Sequence, residues 1–132
     1  MSSFLAKLEL DGETYTVLNC NYNFQKKTDS TSKPSGETSG GQISLSIESN
    51  GKTDFLDWIL SGERSKDGKI IFYRRDMMGK LYEIIFEKAY CINFNETFSS
   101  SGTTPMQIDI TLVARTLKFN ERSVFKKNWT LS

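Results

Sequence analysis

Apolar and polar residues alternate along most of this chain, and a period of two commits it to strands. Phe4, Ala6, Leu8 and Leu10 stand opposite Leu5, Lys7 and Glu9. Ile43, Leu45 and Ile47 stand opposite Ser44, Ser46 and Glu48. Met106, Ile108, Ile110, Leu112 and Ala114 stand opposite Gln107, Asp109, Thr111 and Arg115, and Leu117 and Phe119 extend that run. Such runs turn one face to a core and the other to water. Asp11-Gly12, between the first run and one starting at Glu13, is a type I′ hairpin signal. The second run reaches Phe24, with Leu18, Cys20, Tyr22 and Phe24 on a core face and Asn19, Asn21 and Asn23 opposite. Asparagine is a poor strand residue. Three on one face mark a wet, hydrogen-bonding surface, either a solvated exterior or a polar wall lining a channel or interface.

Further along, Lys69 to Arg75 is apolar on both faces at first and reads as a central strand. Leu81 to Ala89 places Tyr82, Ile84 and Phe86 on one face and Glu83, Ile85 and Glu87 on the other. The run continues through Tyr90, Ile92, Phe94, Glu96 and Phe98, with a bulge expected near Lys88-Ala89. The basic tail carries Phe125 and Trp129 as anchors. About seven or eight strands at this spacing predict a mainly β fold: a small closed or nearly closed β-barrel of two packed antiparallel sheets, with one short α-helix on its side. The 132 residues suit one domain over 1–132.

Two stretches break the alternation. Lys52 to Gly62, KTDFLDWILSG, predicts a helix over about 53–61, with Thr53 as N-cap and Gly62 closing it in a left-handed conformation. Phe55, Leu56, Trp58, Ile59 and Leu60 fill an apolar arc of roughly 200°, wider than one sheet needs. Phe55, Ile59 and Leu56 are expected to hold the helix on the barrel. Trp58 and Leu60, at the edges, are expected to cover a loop or a neighbouring subunit. The other stretch, Gln25 to Gly41, has no periodicity and is rich in Ser, Thr, Gly and Lys. It predicts a long loop over about 26–41, of the kind that is functional or disordered.

Chemistry is narrowed by what is missing. With no histidine, the chain has no Ser-His-Asp or Cys-His arrangement. Two cysteines without histidine are too few for a zinc site. Cys20 shares parity with Tyr22 and Phe24, and Cys91 with Asn93 and Asn95, so the two are not expected to meet. Carboxylate pairs occur at Glu9 and Glu13, Asp54 and Asp57, and Glu83 and Glu87, each fitting a solvated face rather than an acid–base site. No phosphate-binding glycine loop or calcium loop is present. Phe72-Tyr73-Arg74-Arg75 has the makings of a stacking platform for single strands. The net charge of +1 weighs against nucleic acid and against an anionic membrane. No apolar run approaches the ~18 residues of a membrane span, and MSSFLAKLEL has no signal-peptide pattern. The expectation is no enzyme, no cofactor and no metal.

Several segments, in order, resemble one family. SFLAKLELDGETYTVLNCNYNFQKKTD, the stretch ending in Gly40-Gly41, QISLSIES, TDFLDWIL, KDGKIIFYRRDMMGKLYEIIFEKAYC and MQIDITLVA resemble the tube protein of type VI secretion systems, the haemolysin-coregulated protein (Hcp/TssD) family, in its Bacteroidota form. The resemblance implies homohexameric rings that stack into a hollow tube. A contracting sheath drives that tube out of the bacterium with a spike and effectors. It implies assembly in the bacterial cytoplasm without a signal peptide, then secretion by the system. On that reading the stretch bearing Lys27, Asp29, Lys33, Pro34, Gly36, Gly40 and Gly41 stacks rings. Phe55, Trp58, Ile59 and Leu60 serve helix or subunit packing, and Asn19, Asn21 and Asn23 line the lumen. The competing reading of the residues is a monomeric β-barrel binding a ligand or single-stranded nucleic acid.

Overall fold

The computed structural model describes residues 4–62, 64–76, 79–102 and 106–127. Their order is β1 (Phe4–Leu10), β2 (Glu13–Tyr22), β3 (Gln25–Thr28), β4 (Pro34–Ser39), β5 (Gln42–Glu48), α1 (Asp54–Leu60), β6 (Lys66–Arg74), β7 (Lys80–Phe98), β8 (Met106–Phe119) and β9 (Ser123–Lys126). The main sheet runs β5-β2-β1-β6-β7-β8-β9, and β5 also pairs with β8. That last pairing closes six antiparallel strands into a barrel, which removes the open edges a sheet would otherwise expose. Trp129 lies outside the described residues.

The alternation does what it predicts in the middle of the strands. Leu8 and Leu10, Ile43, Leu45 and Ile47, and Ile108, Ile110, Leu112 and Ala114 are all buried in one core. Asp11 and Gly12 both have positive φ, 52° and 76°, as a type I′ turn requires. Lys88 marks the expected bulge, with φ 51° and its N–H donated to Asp67 Oδ1 at 2.8 Å. Leu117 is buried, and Phe119 and Phe125 pack on the core edge.

Bulges also correct two sequence readings. In β2 the register steps from Val17↔Ile47 to Asn19↔Ser46, so Leu18 is the extra residue. It leaves the core face expected for it and is 40% exposed. In β7 the step from Cys91↔Leu112 to Asn93↔Thr111 makes Ile92 extra. Counting parity straight through this point put Cys91 on the polar face. It is buried instead, while Ile92 is half exposed. Cys20 and Cys91 are both free thiols. Burial pushes the Cys20 thiol up to about 11 and raises that of Cys91. Met106 and Phe98, paired at the far end of the β7–β8 ladder, are exposed rather than core.

At three places neighbouring barrel strands part. β6 leaves β7 at Lys66↔Ala89, while β7 continues to Phe98. Helix α1 packs on β7. Lys66, whose ammonium lies 5.3 Å from the Trp58 ring centre, and the Ser49–Glu96 hydrogen bond bracket the helix beside Ala89 to Glu96. β5 leaves β8 at Gln42↔Val113, and β9 takes its place from Thr116 to Phe119. β1 and β2 pair only from Ala6↔Val17 to Leu10↔Glu13. Beyond that, Asn19 to Tyr22 follow β5 and Phe4 and Leu5 follow β6. Among the described residues no element covers this third seam.

Helix α1 spans nearly its expected range, but Thr53 does not cap it. Its hydroxyl donates to Asp57 Oδ2 at 3.2 Å, with no side-chain bond to a helix N–H. Gly62 does take a left-handed φ of 82°. Trp58 is 2% exposed within the single chain, its indole N–H donated to the Arg64 carbonyl at 2.7 Å. It is therefore core and covers a loop of its own chain, not a neighbour. Phe55 is equally buried, Ile59 packs on the core edge, Leu56 is more exposed than expected, and Leu60 is 73% exposed.

Candidate functional site

Two features stand out on the barrel's surface, and both follow from register. The first is a wall on the outer face of β2, β5, β8 and β7. Strand pairing lines up Asn21, Ser44, Thr111 and Asn93 in one cross-strand row. Asn19, Ser46, Asp109 and Asn95 form the next, and Glu48, Gln107 and Thr97 continue it. These positions are amides, hydroxyls and two carboxylates, with no apolar side chain and no cation. A shallow cleft of about 250 Å³ follows both full rows, lined by Asn19, Ser44, Asn93, Asn95, Asp109 and Thr111 among others.

Asp109 organises the wall's hydrogen bonds. Ser46 Oγ donates to its Oδ1 at 2.5 Å and Gln107 Nε2 at 3.0 Å. The Ser46 hydroxyl first, then the Gln107 amide, hold the carboxyl below the usual aspartate range. Asn95 Nδ2 donates to Thr97 Oγ1 at 3.1 Å. The wall thus satisfies part of its own polarity, and its remaining amides face outward as both donors and acceptors.

Of the three asparagines singled out in sequence, Asn19 and Asn21 stand in these rows. Asn23 lies past the end of β2 and is exposed at the root of the next feature. Ser44, Ser46, Asn93, Asn95, Asp109 and Thr111 had the outward parity to join them. What was missing was register, which no single strand contains.

The second feature is the stretch from Gln25 to Gly41, which is an ordered hairpin rather than a loop. β3 and β4 pair from Gln25↔Ser39 to Thr28↔Pro34 as a separate two-stranded sheet. Its tip is built by Asp29. Asp29 Oδ1 accepts from Thr31 N–H at 2.8 Å, Thr31 Oγ1 at 2.6 Å and Lys33 N–H at 3.1 Å. Those bonds, led by the Thr31 hydroxyl, lower the carboxyl pKa. Lys27 and Pro34 lie on the two strands, Lys33 is at the tip, and Gly36, with φ 81°, sits where the register shifts. Among the described residues β3 and β4 pack on no other element. A lone two-stranded hairpin is marginal in water, and this one has both outer edges open.

Gly40 and Gly41 sit at the hairpin's root, not on its reach. A Cβ on Gly40 would lie 2.4 Å from Phe24 Cδ1, and one on Gly41 3.2 Å from the Ala114 carbonyl. Gly41 accepts the Ala114 N–H at 2.9 Å, and Lys127 Nζ donates to the Gly40 carbonyl at 3.2 Å. Their glycine character belongs to closing the barrel end.

Of the carboxylate pairs of the sequence, Glu9 and Glu13 line one open cleft of about 440 Å³ together with Asp11 and Asp67, and lysines meet most of these carboxylates. Glu13 is bridged by Lys52 at 2.5 Å, Glu9 by Lys69 at 3.9 Å, and Glu87 by Lys118 at 3.4 Å. Glu83, buried, is met by Lys80 at 3.2 Å and Lys69 at 3.9 Å. Asp54 accepts from Tyr15 and Asp57 from Thr53. Among the described residues there is no group of three or more Cys, Asp and Glu placed to hold a metal ion.

The chain matches the family model described as hemolysin coregulated protein Hcp (TssD) over residues 2–130. A comparison with curated proteins finds no match. Among solved structures, Hcp1 from Flavobacterium johnsoniae, a Bacteroidota, is 31% identical at a TM-score of 0.87, covering 93% of this chain and 99% of that one. Hcp1 from Salmonella typhimurium shares the fold at 11% identity and a TM-score of 0.74, over 94% of this chain and 92% of that one. A chain of the PVC sheath–tube complex of an extracellular contractile injection system shares it at 19% identity and 0.57, over 86% of each chain. The chain belongs to the hemolysin coregulated protein Hcp (TssD) family.

Proposed function

We infer that this chain is a structural subunit of the inner tube of a type VI secretion system. Homohexameric rings stack into a hollow tube, with the polar wall facing the lumen and the β3–β4 hairpin reaching the adjacent ring. The wall carries this reading. Its rows run across four strands without an apolar side chain, and such a surface lets folded or unfolded cargo pass without sticking, because no apolar contact rewards a stop. The hairpin supports the stacking. Its open edges offer backbone donors and acceptors, while Lys26, Lys27, Asp29 and Lys33 bring charges of both signs to the arm for polar docking. The partners are further copies of the chain, the sheath, the spike and effectors. The chain carries no catalysis of its own. Rings assemble in the bacterial cytoplasm and leave through the system they build.

Light scattering after size exclusion, with negative-stain electron microscopy, tests this. The expected species has six times the 15.0 kDa chain mass and a central hole. A monomer at every concentration overturns the reading. Salt-sensitive binding of oligonucleotides by that monomer would instead support a nucleic-acid-binding barrel.

A further inference from the structure

The wall's two lateral margins are unlike each other. Across its rows the order is β2, β5, β8, β7. At the β7 margin, where β6 has ended, α1 stands beside the strand and exposes Leu60, at 73%, and Leu56, while β7 itself exposes Ile92. At the β2 margin, in the same rows, lies the seam between β1 and β2, which no element covers among the described residues. It opens a cleft of about 460 Å³ lined by Phe4, Leu5, Val17, Leu18 and Phe72, with Arg75 and Glu48 also at it. One margin is an apolar projection and the other an apolar recess. Asp54 and Asp57 lie on the helix with Lys66 against Trp58, and Arg75 and Glu48 lie at the recess, so each margin carries charges of both signs.

We propose that the α1 margin of one copy docks into the open β1–β2 seam of the next, with Leu60 and Leu56 entering the cleft. This rests on the tube reading and specifies its lateral contact. Within one barrel α1 fills the gap beside β7 and β9 fills the gap beside β8, whereas the third gap has no filler among the described residues. The occupant is a second copy of this chain. The projection and the recess flank a single wall, so copies that join α1 to seam keep their walls side by side on one surface. The contact is heterologous, two different patches meeting, which is the type that closes into rings when the rotation allows. The polar hairpin is a poorer occupant, since Gln25–Thr28 and Pro34–Ser39 bring no large apolar side chain to a recess lined by Phe4, Leu18 and Phe72.

A photo-crosslinking residue, p-benzoylphenylalanine, placed at position 60 of the full chain tests the contact in assembled rings. Leu60 is exposed, so the barrel tolerates the change. The expected product is a dimer on a denaturing gel whose cross-linked peptide contains Phe4–Lys7 or Leu18–Tyr22. Cross-links from α1 to α1, to Gln25–Ser39, or none at all in intact rings overturn the inference. As a second arm, Leu60→Asp is expected to abolish rings while leaving the melting of the barrel unchanged. Rings that persist in Leu60→Asp count against it equally. If the unaltered chain forms no rings, the tube reading fails. If it forms them and position 60 cross-links elsewhere, only the α1–seam contact fails.

Discussion

The Tyr15 hydroxyl donates to Asp54 Oδ2 at 3.0 Å, and its ring meets that of Phe55 edge-on at 4.9 Å. These two contacts tie the first hairpin of the barrel to the first turn of the only helix among the described residues. Burial first, then the Asp54 hydrogen bond and charge, raise the Tyr15 pKa, so the phenol keeps its proton and remains a donor at any physiological pH. Asp54 in turn receives a neutral donor at the helix end where a negative charge is favoured.

Tyr15→Phe keeps the ring contact and removes only the donor. A hydrogen bond to a carboxylate contributes about 1.5 kcal/mol or more. The variant is expected to lose about that much, read as a lower urea midpoint at unchanged slope.

Trp58→Ala separates a core role from an interface role. With Trp58 buried and bonded to the Arg64 carbonyl, truncation is expected to cost about 3–5 kcal/mol of barrel stability. Leu60→Ala, at an exposed site, is expected to stay within about 0.5 kcal/mol. Denaturant unfolding of the two variants side by side checks the contrast.

The wide apolar arc of α1 was legible from its sequence, but the assignment of its edges was not. Helical periodicity says which residues share a face. It does not say that the chain after Gly62 folds back so that a loop carbonyl reaches the Trp58 indole. The strands show the same limit. Ile43, Leu45 and Ile47 sit in an unbulged strand, and their alternation reads directly as burial. Leu18 and Cys91 each adjoin or occupy a bulge, where one inserted residue reverses every parity beyond it. The β3–β4 hairpin escaped because β3 is exposed throughout and neither strand's sequence alternates. Its signal was the Asp29 to Lys33 turn chemistry, which marks a tip but not the strands that lead to it.

The wall is expected to weaken in acid through Asp109. Its folded pKa is lowered by Ser46 and Gln107, so its contribution is fully present above the unfolded value of about 4 and is lost as pH falls through the folded one. Urea midpoints measured from about pH 5 to about pH 2 should fall more steeply for the unaltered chain than for Asp109→Asn, which has no carboxyl to protonate. Equal slopes would mean that the Ser46 and Gln107 bonds contribute nothing to folding.

Gly41→Ala tests the barrel closure at the hairpin root. Gly41 has φ 94°, and a Cβ there would meet Phe125 Cε2 at 3.1 Å and the Ala114 carbonyl at 3.2 Å. Backbone strain and crowding together should cost about 2 kcal/mol. Gly36→Ala, at φ 81° with open space around it, should leave barrel melting unchanged, because among the described elements β4 packs on β3 alone.

Deleting Asp29 to Ser39 removes the hairpin tip and β4 while sparing the barrel's strands and its glycine root. The barrel core draws no side chain from this segment, so melting of the shortened chain should match that of the full one. If the hairpin joins ring to ring, the shortened chain should still form single rings of unchanged mass yet fail to grow tubes under conditions in which the full chain does. Electron microscopy distinguishes the cases. Normal tubes would remove the hairpin from the stacking contact. Loss of single rings as well would move it into the lateral one, where it would compete with α1 for the open seam.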